Sequence, residues 1–154
     1  MVRLEGVDYL AVIDYAHTPD ALEKILLTMR EVKGARDKII TVVGCGGDRD
    51  KAKRPIMAKV AADLSDLVIL TSDNPRSEDP DSIITDMRKG LEQGQYENIK
   101  TLVNRKEAIQ AACATAQSGD IVLIAGKGHE KYQEIKGKKF PFDDKKIVKD
   151  YMST

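Results

Sequence analysis

The sequence predicts an α/β fold, an open and mostly parallel sheet with helices on both faces, and three observations predict it. Short β-branched runs alternate with longer segments of helical period, the pattern of strands joined by crossover helices. At least four of the runs are apolar almost without interruption, as strands buried on both faces must be. The 154 residues suit one domain, since a chain of that size hides roughly two thirds of its unfolded surface on folding.

Tyr9 to Asp14 (YLAVID) predicts the first strand. Thr18 then caps a helix over Pro19 to Glu31, because its hydroxyl satisfies free amides and proline preorganises the first turn. Lys38 to Val43 (KIITVV) and Lys53 to Leu64 read as the next strand and helix, followed by Leu67 to Thr71 (LVILT) and Asp81 to Gln93. Ile99 to Val103 (IKTLV) precedes a helix from Lys106 to Gln117 that Ser118-Gly119 ends, and Ile121 to Ala125 (IVLIA) is the fifth run. The pattern then changes. Tyr132 to Ile135 and Lys139 to Phe142 flank Lys136-Gly137-Lys138 as a hairpin, and a short helix from Asp144 to Tyr151 closes the domain.

Composition excludes several functions. Lys plus Arg equals Asp plus Glu at 25 each, so no global field gathers nucleic acid or holds the chain on an anionic membrane. No apolar run approaches the ~20 residues of a spanning helix, and no leader pattern opens the chain. Cys45, Cys113 and two histidines are too few for a disulfide framework or a zinc cage, which predicts a reducing, cytoplasmic setting and no metal site.

Ligands of open α/β sheets gather beyond the carboxyl ends of the strands, and the unusual residues fall there. The first strand runs into Asp14-Tyr15-Ala16-His17-Thr18-Pro19, the second into Gly44-Cys45-Gly46-Gly47-Asp48-Arg49-Asp50. The third meets Ser72-Asp73-Asn74-Pro75-Arg76 and the fifth Gly126-Lys127-Gly128-His129-Glu130. Four such segments predict one shared wall. The glycine run lets amides approach an anion, or makes a tight turn; it is neither G-x-G-x-x-G nor a P-loop. Arg49 can grip a carboxylate in a fork, or belong to a solvated charge run. In Asp73-Asn74-Pro75-Arg76 proline withholds an amide, so side chains must do the recognising, and an acceptor, an amide and a guanidinium together can read a zwitterion. An Asx turn accounts for Asp73 and Asn74 as well, but not for Arg76. His17 and His129 suit a nucleotide or a turn, and Lys127 a phosphate or a snorkelling surface lysine.

Taken together, D-Y-A-H-T-P-D-A-L at Asp14 to Leu22, G-C-G-G-D-R-D-K at Gly44 to Lys51 with Arg54-Pro55 after it, D-N-P-R at Asp73 to Arg76 and G-K-G-H-E at Gly126 to Glu130 resemble the C-terminal domain of the Mur ligase family, specifically its diaminopimelate-adding branch. The likeness covers nearly the whole chain. It implies a dinucleotide-binding-like (Rossmann-type) sheet of about six strands whose last, in the C-terminal hairpin, is antiparallel. It implies an ATP-dependent acid–amino-acid ligase of peptidoglycan precursor synthesis that adds meso-diaminopimelate to UDP-MurNAc-L-Ala-D-Glu through an acyl phosphate. Carried over by motif, Arg49, Asp73, Asn74, Arg76, Gly126 and Glu130 would hold diaminopimelate. Arg49 and Arg76 suit its distal carboxylate, Asp73 and Glu130 its distal ammonium. Arg3, Asp14, Tyr15 and His17 would face ATP. Residues 1–8 would be a remnant of an interdomain linker and 9–154 the domain itself. The phosphate loop, the magnesium ligands and the domain that grips the UDP moiety do not occur here, so the chain alone is expected to be inactive, with no catalytic residue of its own. A free-standing nucleotide-binding module is the alternative; a dehydrogenase-type domain is a third, disfavoured by the missing G-x-G-x-x-G.

Overall fold

In the computed structural model, which describes residues 2–5 and 8–153, the predicted runs and helical segments take their places with small shifts at the ends. The chain runs β1 (Val2–Glu5), β2 (Leu10–Asp14), α1 (Pro19–Val32), β3 (Ile39–Val43), α2 (Lys53–Leu64), β4 (Leu67–Leu70), α3 (Pro80–Arg88), β5 (Ile99–Thr101), α4 (Arg105–Thr115), β6 (Ile121–Ala125), β7 (Tyr132–Ile135), β8 (Lys138–Pro141) and α5 (Asp144–Met152). The main sheet has the order β1-β2-β6-β3-β4-β5. All its pairings are parallel except β1 with β2.

The order explains the layers. From β2 to β5 the chain moves across the sheet in one direction, and right-handed crossovers then set α1, α2 and α3 on one face. The return from β5 to β6 reverses direction, so α4 lies on the other face with α5. Strand side chains alternate to match: Ile121, Leu123 and Ala125 of β6 join Leu22, Leu26, Met57, Ala61, Ile84 and Met87. Val122 and Ile124 join Ala108, Ile109, Ala112 and Val148. A strand with a helix layer on each side has no polar side, which is why these runs read as continuously apolar. Helix starts follow the capping chemistry expected at Thr18, whose hydroxyl accepts from the Ala21 amide at 3.2 Å, and Asp79, Asn104 and Asp143 act alike for α3, α4 and α5.

Three details differ from expectation. The antiparallel member of the sheet is β1, at the N-terminal edge, and not a strand of the hairpin. Val2 and Leu4 pack on the core while Arg3 between them is exposed, the alternation of an edge strand, but four residues are too short to announce one. With that edge filled, β7 and β8 form a two-stranded sheet of their own, closed by Lys136 and Gly137 at φ +50° and +78°, a primed two-residue turn. Lastly, α3 stops at Arg88 instead of reaching Gln93. Gly90 lies so close to the Pro55 carbonyl of α2 that a β-carbon there would sit 1.9 Å from its oxygen, so the backbone turns away at that point.

Candidate functional site

The four strand-end segments meet, as predicted, around a cavity of about 230 Å³. Tyr15, His17, Arg49, Asp73, Asn74, Arg76, Gly126 and Glu130 all line it. Arg3 and Asp14 do not. Arg3 stands exposed on the edge strand opposite Val12, and Asp14 ends β2, where its carboxylate accepts from the Ala16 amide at 2.9 Å. Three roomier grooves, of about 580, 680 and 280 Å³, lie elsewhere and contain none of these eight residues. The smaller cavity is where charge converges, and its size, below the ~300–1,000 Å³ usual for drug-sized ligands, suits a small polar molecule.

The loop after β4 is held from two sides. Its Asn74 carbonyl accepts from the Gly47 amide at 2.8 Å, stitching it to the loop after β3. Arg76 has φ +53°, an uncommon left-handed backbone for a side-chain residue, and donates from Nη1 to the Gly47 carbonyl at 2.9 Å. The hairpin grips the other side: the Arg76 amide donates to the Glu134 carbonyl at 2.9 Å, and the Lys136 amide to the Arg76 carbonyl at 2.7 Å. Arg76 Nε also lies 3.7 Å from a Glu134 carboxylate oxygen. The hairpin therefore serves as a backrest for the D-N-P-R segment.

Charge is arranged in two poles. A β-carbon on Gly46 would fall 2.7 Å from Arg76 Nη1 and 3.6 Å from Arg49 Cγ, so both arginines flank that glycine. At Gly126, with φ +115°, a β-carbon would be strained and would press on Asp73 Oδ2 at 3.0 Å; glycine leaves that carboxylate open to the cavity. Asp73 sits with Glu130 and Asn74, whose Nδ2 donates to Glu130 Oε1 at 3.3 Å.

Three buried cations support this wall, and they are the largest fully buried side chains among the described residues. Arg54 donates to the Gly46 carbonyl at 3.1 Å, to Glu78 at 2.6 Å and to Asp86 at 3.1 Å. Glu78 also accepts from the Asp48 amide at 2.6 Å, and these two bonds hold its carboxyl down at about 2. Arg105 pairs with Asp144 at 2.8 Å and donates to the Ser72 and Ala125 carbonyls, where β4 and β6 hand over to their loops. Lys127 is neither a phosphate contact nor a surface lysine. It is fully buried and points into the wall at Asp73, Asn74 and Glu130.

Sequence reasoning also missed Lys53, which lines the cavity and donates to the His17 carbonyl at 3.2 Å. Nothing in its charged stretch sets it apart from its neighbours. Cys45 is a wall and not a nucleophile: burial pushes its thiol up to about 12. At the rim, the exposed Tyr15 ring lies 4.6 Å from His17, edge on, and 6.4 Å from His129. Among the described residues no three His, Cys, Asp or Glu side chains gather as metal ligands, and no helix is long and apolar enough to cross a membrane.

Comparison with known proteins places this geometry in a family. The diaminopimelate-adding ligase of Cytophaga hutchinsonii, named UDP-N-acetylmuramoyl-L-alanyl-D-glutamate--2,6-diaminopimelate ligase, is 58% identical over 152 residues, 99% of this chain and 31% of that protein. The Bacteroides fragilis protein of the same name is 55% identical over 145 residues, 94% of this chain and 30% of the relative. A solved structure of a protein so named superposes with a TM-score of 0.93 at 46% identity over 99% of this chain and 31% of its own length. The chain thus spans about a third of the relatives it matches. The family model described as "Mur ligase, glutamate ligase domain" matches residues 1–128, and the chain belongs to the Mur ligase family.

Proposed function

We propose that this chain is the amino-acid-binding domain of an ATP-dependent ligase, and that its cavity takes meso-diaminopimelate for addition to UDP-MurNAc-L-Ala-D-Glu. One observation carries the proposal: a single small cavity is lined by two arginines, Arg49 and Arg76, and by two acidic side chains, Asp73 and Glu130, with the Arg76 guanidinium at Gly46 and the Asp73 carboxylate at Gly126. Diaminopimelate carries an ammonium and a carboxylate at each end, so a site of this kind can bind one end and leave the other amine to react. Arg76 and Arg49 bind the distal carboxylate, each charge-assisted bond contributing ~1.5 to 3 kcal/mol. Asp73 and Glu130 hold the ammonium. Lysine lacks that carboxylate and would leave the arginines without an anion.

ATP supplies the activation by phosphorylating the acceptor's carboxyl group; the amine then displaces phosphate and an amide forms. The chain's own share is to position the amine. The Tyr15, His17 and His129 rings fit one face of a nucleotide, and Asp14 at the end of β2 and Arg3 on β1 are proposed to lie toward it. Magnesium ligands, the phosphate loop and the UDP-binding surface are proposed to come from the rest of a full-length protein, with residues 1–8 on the connecting side. Domain closure would then assemble the reacting groups.

Arg76→Ala in the full-length ligase tests the reading. The KM for diaminopimelate should rise at least about tenfold, equivalent to ~1.4 kcal/mol of binding, with discrimination against lysine falling in step. An unchanged KM would overturn the role of Arg76 and, with it, the assigned ligand.

A further inference from the structure

Lys127 is the one lysine among the described residues that is fully buried. Its ammonium sits among four oxygens: Asn74 Oδ1 at 2.6 Å, Asp73 Oδ1 at 2.9 Å, the Tyr132 carbonyl at 3.0 Å and Glu130 Oε1 at 3.6 Å. A buried ammonium demands such company, because desolvation opposes its charge. The choice of company is unusual. Arg54 and Arg105 spend their bonds on backbone carbonyls and on the side chains of Glu78, Asp86 and Asp144, and none of those three side chains lines the cavity. Lys127 alone of the three touches cavity-lining side chains, and it touches Asp73, Asn74 and Glu130 together.

Its effect on Asn74 follows from donor chemistry. An amide has an accepting end and a donating end. Two groups that can only donate, the Lys127 ammonium and the Glu134 amide, meet Asn74 at one end, at 2.6 and 2.9 Å. The oxygen must therefore lie there and the NH₂ must turn toward Glu130 and the cavity. Asp73 is treated differently. Its Oδ1 makes no directional hydrogen bond and meets Lys127 as an ion contact, while Oδ2 faces Gly126. One cation thus presents an N–H donor from Asn74 and places its positive charge between two neighbouring carboxylates, Asp73 at 2.9 Å and Glu130 at 3.6 Å.

We propose that Lys127 is a positioning residue for amino-acid recognition: it sets Asn74 as a donor toward the ligand's carboxylate and holds Asp73 and Glu130 as acceptors for its ammonium. The proposal rests on the reading of the cavity as the diaminopimelate site. Lysine suits the place better than arginine, because a compact ammonium can serve oxygens in several directions whereas a guanidinium fork is planar.

The test uses the full-length ligase with steady-state kinetics for each substrate. Lys127→Met should raise the KM for diaminopimelate about tenfold or more while the KM for ATP stays within about twofold, and Lys127→Arg should recover part of the loss. Asn74→Asp keeps an acceptor for Lys127 and the Glu134 amide but removes the donor, so it tests the polarity without emptying the wall. Its KM for diaminopimelate should also rise about tenfold. Unchanged diaminopimelate KM in either variant overturns the proposal, as does an equal rise in both KM values for Lys127→Met, which would mark a purely structural lysine. Arg76→Ala run alongside separates the two failures: if it too leaves the diaminopimelate KM unchanged, the site reading itself falls, and if it raises that KM while the Lys127 and Asn74 variants do not, only the positioning role falls.

Discussion

The sheet and the layer of loops just beyond its carboxyl ends are built on opposite principles. Within the sheet, β3 and β6 are buried along their whole length and meet helices through methyl groups alone on β6. A few ångströms further on, Arg54, Arg105 and Lys127 are just as buried, yet each is surrounded by carboxylates and carbonyls. Apolar contacts are tolerant of direction. Ion pairs with hydrogen bonds are not, so the charged layer fixes where loops sit in a way the core beneath it cannot.

That difference predicts how each region fails. The largest effect should come from Asp144→Asn, which leaves the fully buried Arg105 without its counter-charge. Breaking such a pair costs about 3–5 kcal/mol, to be read from urea unfolding, and a cost below ~1 kcal/mol would show the layer to be less rigid than described. Leu123→Ala in the centre of β6 should cost nearly as much, about 2–5 kcal/mol, through lost burial and the cavity left behind. The two should part in a second measurement, because the Asp144 variant should disturb the loops at Ser72 and Ala125, visible as faster amide exchange there, while the Leu123 variant should not.

The smallest effect is one of pH. Glu78 is held at about 2, chiefly by its hydrogen bonds from Arg54 and the Asp48 amide, below its ordinary 4.5. A depressed carboxyl contributes stability that is whole above about pH 4.5 and is lost as pH falls toward 2. Thermal melts between pH 5 and pH 3 should therefore show a downward slope that Glu78→Gln makes shallower. An equal slope in both would mean that other carboxylates carry the acid response.

The sheet region was legible because burial on both faces leaves a short, unbroken apolar run: IITVV and IVLIA, β-branched and bounded by glycine or charge, read as inner strands. The meeting of four strand ends was legible as well, from topology, and the polar or glycine-rich character of each segment marked it. What could not be read was the depth of individual charges. Lys127 between two glycines looks like a loop lysine, and only the Asp73 and Asn74 side chains, brought in from a distant stretch of chain, together with the nearby Tyr132 carbonyl, make it an interior cation. The hairpin is a similar case: its existence follows from Lys136-Gly137, but its docking on Arg76 depends on an edge already taken by β1. Arg3 and Asp14 were grouped with Tyr15 and His17 by motif alone, and only the latter two reach the cavity.

The left-handed backbone of Arg76 has a consequence for anyone trying to improve this protein. A non-glycine residue at φ +53° carries on the order of 1 kcal/mol of strain, so position 76 is one where a stability-guided design would choose glycine. The same exchange would delete the guanidinium that the loop, the glycine at 46 and the hairpin are all arranged around. A screen for heat resistance and a screen for substrate selectivity would pull this residue in opposite directions, which makes it a sensitive place to ask how far the domain tolerates being optimised for endurance over discernment.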